Sequence, residues 1–289
     1  MKNTFRLLAV VALGALLLTS CKKEKLEGQY MPDQKLSVVR TANINYDCEE
    51  SFVQVSTYHW DGKLLSDIEI TNGLTGSGLN KCTFTYDSKK RVEQITAQTD
   101  VVSIYKFIYD GKVLTKVEGY FDSDEITDEY LFTKTDGKVT QMTHIELNKS
   151  SKKGDFEPLR YFLPEQIVMA MEMASKVDDK AQSTVTTLIW EGDNVIKTEM
   201  VSLATLTTTF TYDNKVNPIK GLYSSDFESS TEDLYSANNV LTSTMEMPIV
   251  GTIITTHTYE YDGDYPVKDV AETHSLLTNT KTVITYTYF

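Results

Sequence analysis

Histidines, cysteines and clustered carboxylates are the side chains of this sequence that could perform catalysis or hold a metal. The four histidines, His59, His144, His257 and His274, are too far apart for a short metal-ligand motif, and no C-x-x-C pair is present. No G-x-S-x-G motif places a serine nucleophile. Carboxylates are abundant, but nothing places two of them at the spacing of a glycosidase pair. We therefore expect no enzyme, no catalytic residue and no cofactor.

Two loops have compositions that bind phosphate or calcium in other proteins. Gly73, Gly76 and Gly78 form a glycine-rich loop, but a phosphate cradle needs a helix directly after it, and a strand is expected from Lys81. The acidic stretch 122–125 could offer oxygens to calcium, yet the glycine of an EF-hand loop is replaced by threonine at position 127. We interpret both as solvated loops.

Cys48 and Cys82 could form a disulfide outside the cytoplasm. They belong to different predicted hairpins, so the bond requires that the fold bring their Cα atoms within about 7 Å. Neither has a histidine close in sequence, which gives a zinc site no support.

A repeated β-hairpin must position all of these residues. Its clearest copy is 107–114, where an alternating aromatic strand enters Asp110-Gly111, a pair well suited to a tight turn, and a second apolar strand follows. Turn positions 61, 87, 110 and 136 are 26, 23 and 26 residues apart, and turn positions 191, 213, 238 and 262 are 22, 25 and 24 residues apart. A period near 25 residues is one hairpin plus its return loop.

Eight such hairpins with a strand at each end predict an all-β fold, a large antiparallel up-and-down meander of about 18 strands. An open twisted sheet rarely exceeds about ten strands, so we expect a barrel-like or strongly curved sheet. Incoming strands such as 83–86 alternate threonine with aromatic residues, so one face is aromatic and the other polar. In the outgoing strands the sequence does not show which residue faces the apolar side, as at Val113 and Leu114. A β-bulge after the turn would explain this ambiguity of one residue.

One helical insertion is predicted near 164–176, where the hairpin rhythm breaks. Pro164 suits a first helical position, and strong helix formers that include Met169, Met171 and Met173 follow it. We expect this helix to plug the barrel, and an adaptable methionine-lined binding surface is the alternative.

The first 20 residues predict a secretory signal. Lys2 and Arg6 precede an apolar run of 12 residues, which is shorter than the roughly 20 residues of a membrane-spanning helix, and Cys21 follows Leu18-Thr19-Ser20. This pattern resembles bacterial lipoprotein signals, in which the cysteine takes a diacylglycerol and becomes the mature N-terminus. The resemblance implies a signal peptide at 1–20, a lipidated tether at 21–35, a single repetitive β domain at 36–289, and anchoring to the outer membrane on its periplasmic side or at the cell surface.

Net charge limits the partners. Without Lys2 and Arg6 the chain has 26 basic and 41 acidic residues, a net charge of −15. Such a surface repels phosphate backbones, so we expect no nucleic-acid partner. The acyl chain rather than charge would hold the protein at the membrane.

The Cys21 signal together with the Asp-Gly-Lys turns at Gly62, Gly111 and Gly137 resembles uncharacterised envelope lipoproteins of Bacteroidetes type with a porin-like β fold. The hairpins are also similar to the YD repeats of Rhs-type shells, although those usually continue Gly-Arg-Leu after the turn. The resemblance covers about 36–289 and implies a fold, with no catalytic residues to transfer.

Function is expected at the end of the sheet opposite the tight turns. The longer return loops gather there into a rim, and loops on a rigid scaffold commonly carry binding. This rim would contain 72–78, 122–125 with 128 and 129, the helical insertion, 224–233 and 271–281.

The leading hypothesis is a non-enzymatic outer-membrane lipoprotein that binds a protein or glycan through the long-loop rim. The alternative is a carrier of a hydrophobic ligand, which needs an apolar cavity beside 167–173. A third hypothesis is an integral outer-membrane barrel, favoured by the strand number and the terminal Phe289 but opposed by strand charges such as Lys106, Lys197 and Glu199.

Overall fold

The computed structural model describes residues 26–44, 50–72, 80–99, 101–147, 183–202, 205–223, 231–247, 251–276 and 279–289. Its strands form one closed antiparallel barrel of 16 strands in sequence order, in which β1 pairs with β16. The predicted all-β meander and its closure are therefore confirmed. No helix in these ranges is long and apolar enough to cross a membrane.

The elements are β1 (Leu36–Ile44), β2 (Glu50–Asp61), β3 (Leu64–Asn72), β4 (Asn80–Tyr86), β5 (Val92–Gln98), β6 (Val102–Asp110), β7 (Val113–Phe121), β8 (Asp128–Thr135), β9 (Lys138–Glu146), β10 (Ser183–Glu191), β11 (Asn194–Val201), β12 (Thr205–Val216), α1 (Thr231–Tyr235), β13 (Asn238–Met247), β14 (Gly251–Asp262), β15 (Tyr265–His274) and β16 (Asn279–Tyr288).

The Asp-Gly pairs make the tight turns that the sequence predicts. Gly62 and Gly111 have φ angles of 57° and 58°, a left-handed conformation that glycine adopts without a steric penalty. As the sequence predicts, a β-bulge follows the turn. Ile108 pairs with Lys116 but Tyr109 pairs with Leu114, so Thr115 is the extra residue.

The structure has fewer strands than predicted, because the predicted hairpins at 213 and 238 together form a single pair of strands, β12 and β13. The motif at Asp213 has no glycine, and β12 continues to Val216, which pairs with Asn238 at the start of β13. No hairpin turn forms at 238, and the connection 217–237 joins β12 to β13 at the turn end instead. The predicted 18 strands therefore become 16.

The two faces of the wall follow the alternation seen in the sequence. Phe84, Tyr105 and Phe107 point inward and are buried, whereas Thr83 and Thr85 point outward and are exposed. The aromatic face is thus the inside of the barrel. The main core lies at the turn end, where the inward residues of β1 to β9 pack together.

A ring of eight side-chain hydrogen bonds joins neighbouring hairpins near the turn end, and we call it the donor ring. The ladder between β3 and β4 ends at Asp67 and Thr83, so the carbonyl of Leu65 lies beyond it. The Tyr86 hydroxyl donates to that carbonyl at 2.6 Å. The same bond recurs at every junction between hairpins, from Trp60 to Leu36, Tyr86 to Leu65, Tyr109 to Val92, Lys134 to Leu114, Trp190 to Val139, Tyr212 to Val195, Tyr259 to Val240 and Tyr288 to Pro266.

Residues 26–35, which we call the N-terminal segment, pack against the turn end of the barrel. The amide of Val92 donates to the carbonyl of Gly28 at 2.9 Å, and the amide of Leu114 donates to the Glu27 carboxylate at 2.6 Å. A Cβ at Gly28 would overlap the Tyr109 hydroxyl, so this contact requires glycine. The described part of the predicted tether is therefore fixed to the barrel.

The described parts of the connection 217–237 complete the closure of the turn end. Asn217 donates to the carbonyl of Asp233 at 2.7 Å, and the Tyr30 hydroxyl donates to the carbonyl of Pro218 at 2.8 Å. The buried ring of Tyr223 packs edge-on against Phe107 with ring centroids 5.2 Å apart. These contacts tie the connection to the same core as the strands.

Candidate functional site

Several predicted site residues lie outside the described residues. These are the lipidation residue Cys21, Cys48, the glycine-rich loop at 73–78 and the helical insertion near 164–176. Cys82 is buried on the inner face of β4. Lipidation of Cys21 and a bond between Cys48 and Cys82 therefore stay predictions.

The acidic residues expected to share a rim loop point in different directions. Asp122, Asp124 and Glu125 are exposed at the rim, as predicted. Asp128 turns inward to His144, and Glu129 turns outward to Lys116. Asp128 and Glu129 therefore point away from the three exposed carboxylates, and the interpretation of 122–125 as a solvated loop stays a prediction.

The prediction that 224–233 belongs to the rim is wrong for the described residues of this segment. Its described residues, 231–233, begin α1 in the connection between β12 and β13, which lies at the turn end. The physical reason is the missing turn at 238, since the strand direction reverses only after this connection. The rim keeps 122–125 and the loop after His274.

A group of possible metal ligands lies on the outer wall at β2 and β3. Ligand atoms of His59, Asp67 and Glu69 are all within 4.8 Å of one another. The Lys81 ammonium, however, is 3.0 Å from Asp67 and 3.2 Å from Glu69, and so supplies the positive charge that a metal would otherwise provide. The group is an outer-wall ion network, and His59 is the face residue that the sequence predicts.

The first polar pair inside the barrel is Asp128 with His144. Their side chains are 2.7 Å apart, and the imidazole stacks on Tyr130 with ring centroids 4.5 Å apart. β8 and β9 bring them together, because Tyr130 and His144 are register partners. Sequence reasoning missed this pair, since the two residues are 16 positions apart and only the hairpin register unites them.

The second polar pair inside the barrel is His257 with Asp269, on β14 and β15. Nδ1 of His257 is 2.9 Å from Oδ2 of Asp269, whose side chain is only 2% exposed. Among the described residues, Oδ1 of Asp269 has no hydrogen-bond partner. The imidazole stacks on Tyr259 with ring centroids 5.9 Å apart. His257 is thus a face residue, as predicted, and faces the lumen.

Asp233 of α1 interacts electrostatically with His257 and Asp269, and Glu232 lies beside it. Burial raises the pKa of Glu232, and the neighbouring carboxylate of Asp233 raises it further. Burial also raises the pKa of Asp233, with an opposing effect from His257 and a reinforcing one from Asp269. Burial, with smaller effects of Asp269 and Asp233, raises the pKa of the Tyr286 hydroxyl. Glu232, Asp233 and Tyr286 therefore favour their protonated forms.

These pairs offer orientation and charge rather than a complete catalytic group. A carboxylate fixes the orientation of an imidazole, but acyl transfer also requires a nucleophile bonded to that imidazole. Each pair lies within the wall and bridges adjacent strands, as structural cross-strand pairs do. The described lumen can therefore recognise polar or cationic groups without implying a reaction.

Two hollows lie at the turn end between the N-terminal segment and the connection 217–237. One has a volume of about 250 Å³ and is lined by Glu27, Lys138, Trp190, Tyr223 and Tyr235 among others. The other, of about 400 Å³, is bordered by Met31, Pro32, Val216, Pro218 and Tyr265 among others. Their sizes are at or below the lower part of the range for small-molecule pockets. The cavity that a hydrophobic carrier needs beside 167–173 lies outside the described residues.

Comparison with known proteins identifies relatives by fold. No protein-family model and no curated protein matches the chain. A porin-like protein from Bacteroides uniformis is 13% identical, with a TM-score of 0.56 over 91% of this chain and 100% of that one. A porin-like protein from Bacteroides vulgatus is 10% identical, with a TM-score of 0.50 over 88% of this chain and 99% of that one. The chain therefore has the closed antiparallel barrel fold of porin-like Bacteroides proteins.

Proposed function

We propose that this protein is a non-enzymatic barrel of the cell envelope, anchored to the outer membrane by a lipid on Cys21 and surrounded by water. Its partner, a protein or glycan, binds at the long-loop rim. The observation that carries the proposal is the polarity of the wall, which is aromatic inside and charged outside.

The outer wall has cross-strand ion pairs along the strands. Lys81 contacts Glu69, Lys268 contacts Glu260 at 2.7 Å, and Lys281 contacts Glu272 at 2.8 Å. Each pair joins register partners on neighbouring strands. Threonine fills many of the remaining outward positions, as at 252, 256 and 258 of β14, all of which are exposed.

Such a wall is unfavourable in a bilayer. A lysine on the lipid face of a membrane barrel costs about 2–4 kcal/mol near the midplane, and a membrane barrel presents an apolar band there. Lys81, Lys116 and Lys268 lie on separate strands, so the cost would recur around the circumference. This argues against the integral-barrel hypothesis and in favour of a barrel in water that needs a separate anchor.

The two ends of the barrel differ in their suitability for a partner. The N-terminal segment and the described parts of the connection 217–237 pack across the turn end. The opposite rim exposes Asp122, Asp124, Glu125 and Leu276, of which the last is 83% exposed. Exposed loops on a closed barrel favour the rim as the partner surface.

A carrier of a hydrophobic ligand is the second candidate function. The inner face supplies aromatic walls, but the described lumen also has the pairs Asp128 with His144 and His257 with Asp269. Polar side chains whose hydrogen bonds are incomplete, such as Asp269, are costly beside an apolar ligand. The polar lining therefore favours rim binding over hydrophobic transport.

Anchoring is tested by fractionation of cells that express the full chain or its Cys21→Ser variant. We expect labelled palmitate to be incorporated into the wild-type protein only, and the wild-type protein alone to remain with membranes after a carbonate wash. Cys48→Ser is the matched control and should keep both label and anchoring. A folded Cys21→Ser protein that has lost residues 1–20 and still stays in the washed membrane would show that the wall itself spans the bilayer, and the proposal would be wrong.

A further inference from the structure

We infer that the turn end of the barrel faces the phospholipid headgroups of the anchoring membrane, and that the long-loop rim points away from it. This inference rests on the lipidation of Cys21 in the proposed function. The first supporting observation is the place where the chain leaves the barrel.

The exit point is fixed at the turn end. Glu27 accepts the amide of Leu114 and forms an ion pair with Lys134, while Gly28 accepts the amide of Val92. Three neighbouring hairpins thus hold the segment immediately after Leu26. Five peptide units separate Leu26 from Cys21, which limits the distance between their Cα atoms to about 18 Å.

This reach is shorter than the barrel is tall. β6 has nine residues and β2 has twelve. At about 3.4 Å per residue and a tilt near 40°, such strands span roughly 23 to 31 Å along the barrel axis. A lipid on Cys21 therefore cannot reach a membrane at the rim, and an inverted barrel is excluded by the covalent length of the chain.

The distribution of exposed side chains favours an upright barrel over one lying on its side. Lys63, Lys89, Lys90 and Lys112 are exposed at the hairpin tips, where they can meet headgroup phosphates. Aspartates beside them keep the tips close to neutral, so this attraction is weak and the chain length dominates. Phe289 is 80% exposed at the same end, and its amide donates to the carbonyl of Lys35.

The described rim stretch 122–125 is acidic. Asp122, Asp124 and Glu125 are exposed there without an intervening lysine or arginine in the sequence. Anionic headgroups repel this stretch, while an exposed aromatic ring such as that of Phe289 is favourable at a headgroup layer. The acidic stretch at the rim and the exposed ring of Phe289 at the turn end thus favour the same orientation as the short chain between Cys21 and Leu26.

The test uses lipidated full-length protein in vesicles of phosphatidylethanolamine and phosphatidylglycerol that contain a headgroup-labelled nitroxide lipid. A fluorophore is attached through Lys112→Cys at the turn end, Asp124→Cys at the rim, or Thr256→Cys on the outer wall, each in a Cys48→Ser, Cys82→Ala background. All three positions are exposed, and melting of each labelled protein confirms its fold.

We expect the nitroxide lipid to quench the fluorophore at position 112 several-fold more strongly than the fluorophore at position 124. Quenching at position 256 should be intermediate or absent. Equal quenching at 112 and 256 indicates a barrel on its side, and stronger quenching at 124 indicates an inverted one; either result overturns the inference. Mass spectrometry of the purified chain distinguishes the two proposals. A chain without lipid refutes the proposed anchoring, whereas a lipidated chain with the wrong quenching order refutes only the orientation.

Discussion

Removal of one hydroxyl from the donor ring should measurably destabilise the barrel. Tyr86→Phe keeps the ring packed but deletes the 2.6 Å bond from the hydroxyl to the carbonyl of Leu65. Leu65 is 1% exposed, and its carbonyl lies beyond the last β3–β4 pair, so water cannot easily replace the donor. Burial also raises the pKa of Tyr86, in keeping with a hydroxyl that stays protonated as a donor.

The expected cost combines two effects. A neutral hydrogen bond contributes about 0.5–1.5 kcal/mol net, and an unsatisfied buried carbonyl costs about 1–3 kcal/mol. We therefore expect Tyr86→Phe to lose about 1–2 kcal/mol of unfolding free energy. For a domain of this size that loss corresponds to a drop of roughly 2–8 °C in Tm.

Tyr120→Phe is the matched control. Its hydroxyl donates at 3.1 Å to Glu118 on the outer face, where solvent can compensate. We expect a change within about 0.5 kcal/mol for this variant. Urea unfolding followed by tryptophan fluorescence gives both free energies. If Tyr86→Phe and Tyr120→Phe lose the same amount, the donor ring does not stabilise the junctions and the reasoning is refuted.

Three further predictions concern the lumen, the connection and the turns. His257→Ala removes the partner of Asp269, which is 2% exposed, and should cost about 3 kcal/mol, whereas His274→Ala at the rim should be nearly neutral in the same urea titration. Because burial raises the pKa of Glu232, the folded chain retains a proton that the unfolded chain releases above about pH 4.3. Its contribution to stability is therefore greatest below that pH and falls as the pH rises through the folded-state pKa, so Glu232→Gln should raise Tm at about pH 8 and leave it unchanged at about pH 4. Gly111→Ala at φ 58° should cost about 1–2 kcal/mol and Gly111→Asn less, since asparagine tolerates this backbone better; equal melting of both variants and wild type would contradict the turn argument.

The hairpins could be predicted because their signals are local. Asp110-Gly111 sets the turn within a few residues, and the alternation of 83–86 sets the inner face without knowledge of other strands. The prediction failed at Asp213, where Asn214 replaces glycine. β12 continues to Val216 there, and the chain reverses only after the connection 217–237.

The lumen pairs and the packing of the N-terminal segment depend on distant partners. His257 meets Asp269 only once the register of β14 and β15 is known, and Glu27 meets Lys134 over 107 residues. The donor ring could be predicted only in part. An aromatic residue directly before the turn aspartate recurs at Trp60, Tyr86 and Tyr109, but its acceptor belongs to the preceding hairpin.

Closure between β1 and β16 also determines when the barrel can fold. Leu36–Ile44 are the first of the described strands to be synthesised, whereas their partner strand Asn279–Tyr288 follows all the others. Until then the backbone amides and carbonyls along one side of β1 form an unprotected edge, which invites pairing with other chains. The long sequence separation makes this final contact slow. Deletion of β16 should therefore produce aggregation rather than a smaller barrel. Joining the end of β16 to the start of β1, where Tyr288 and Leu36 are register partners, and opening a turn elsewhere should yield a circular permutant that still closes.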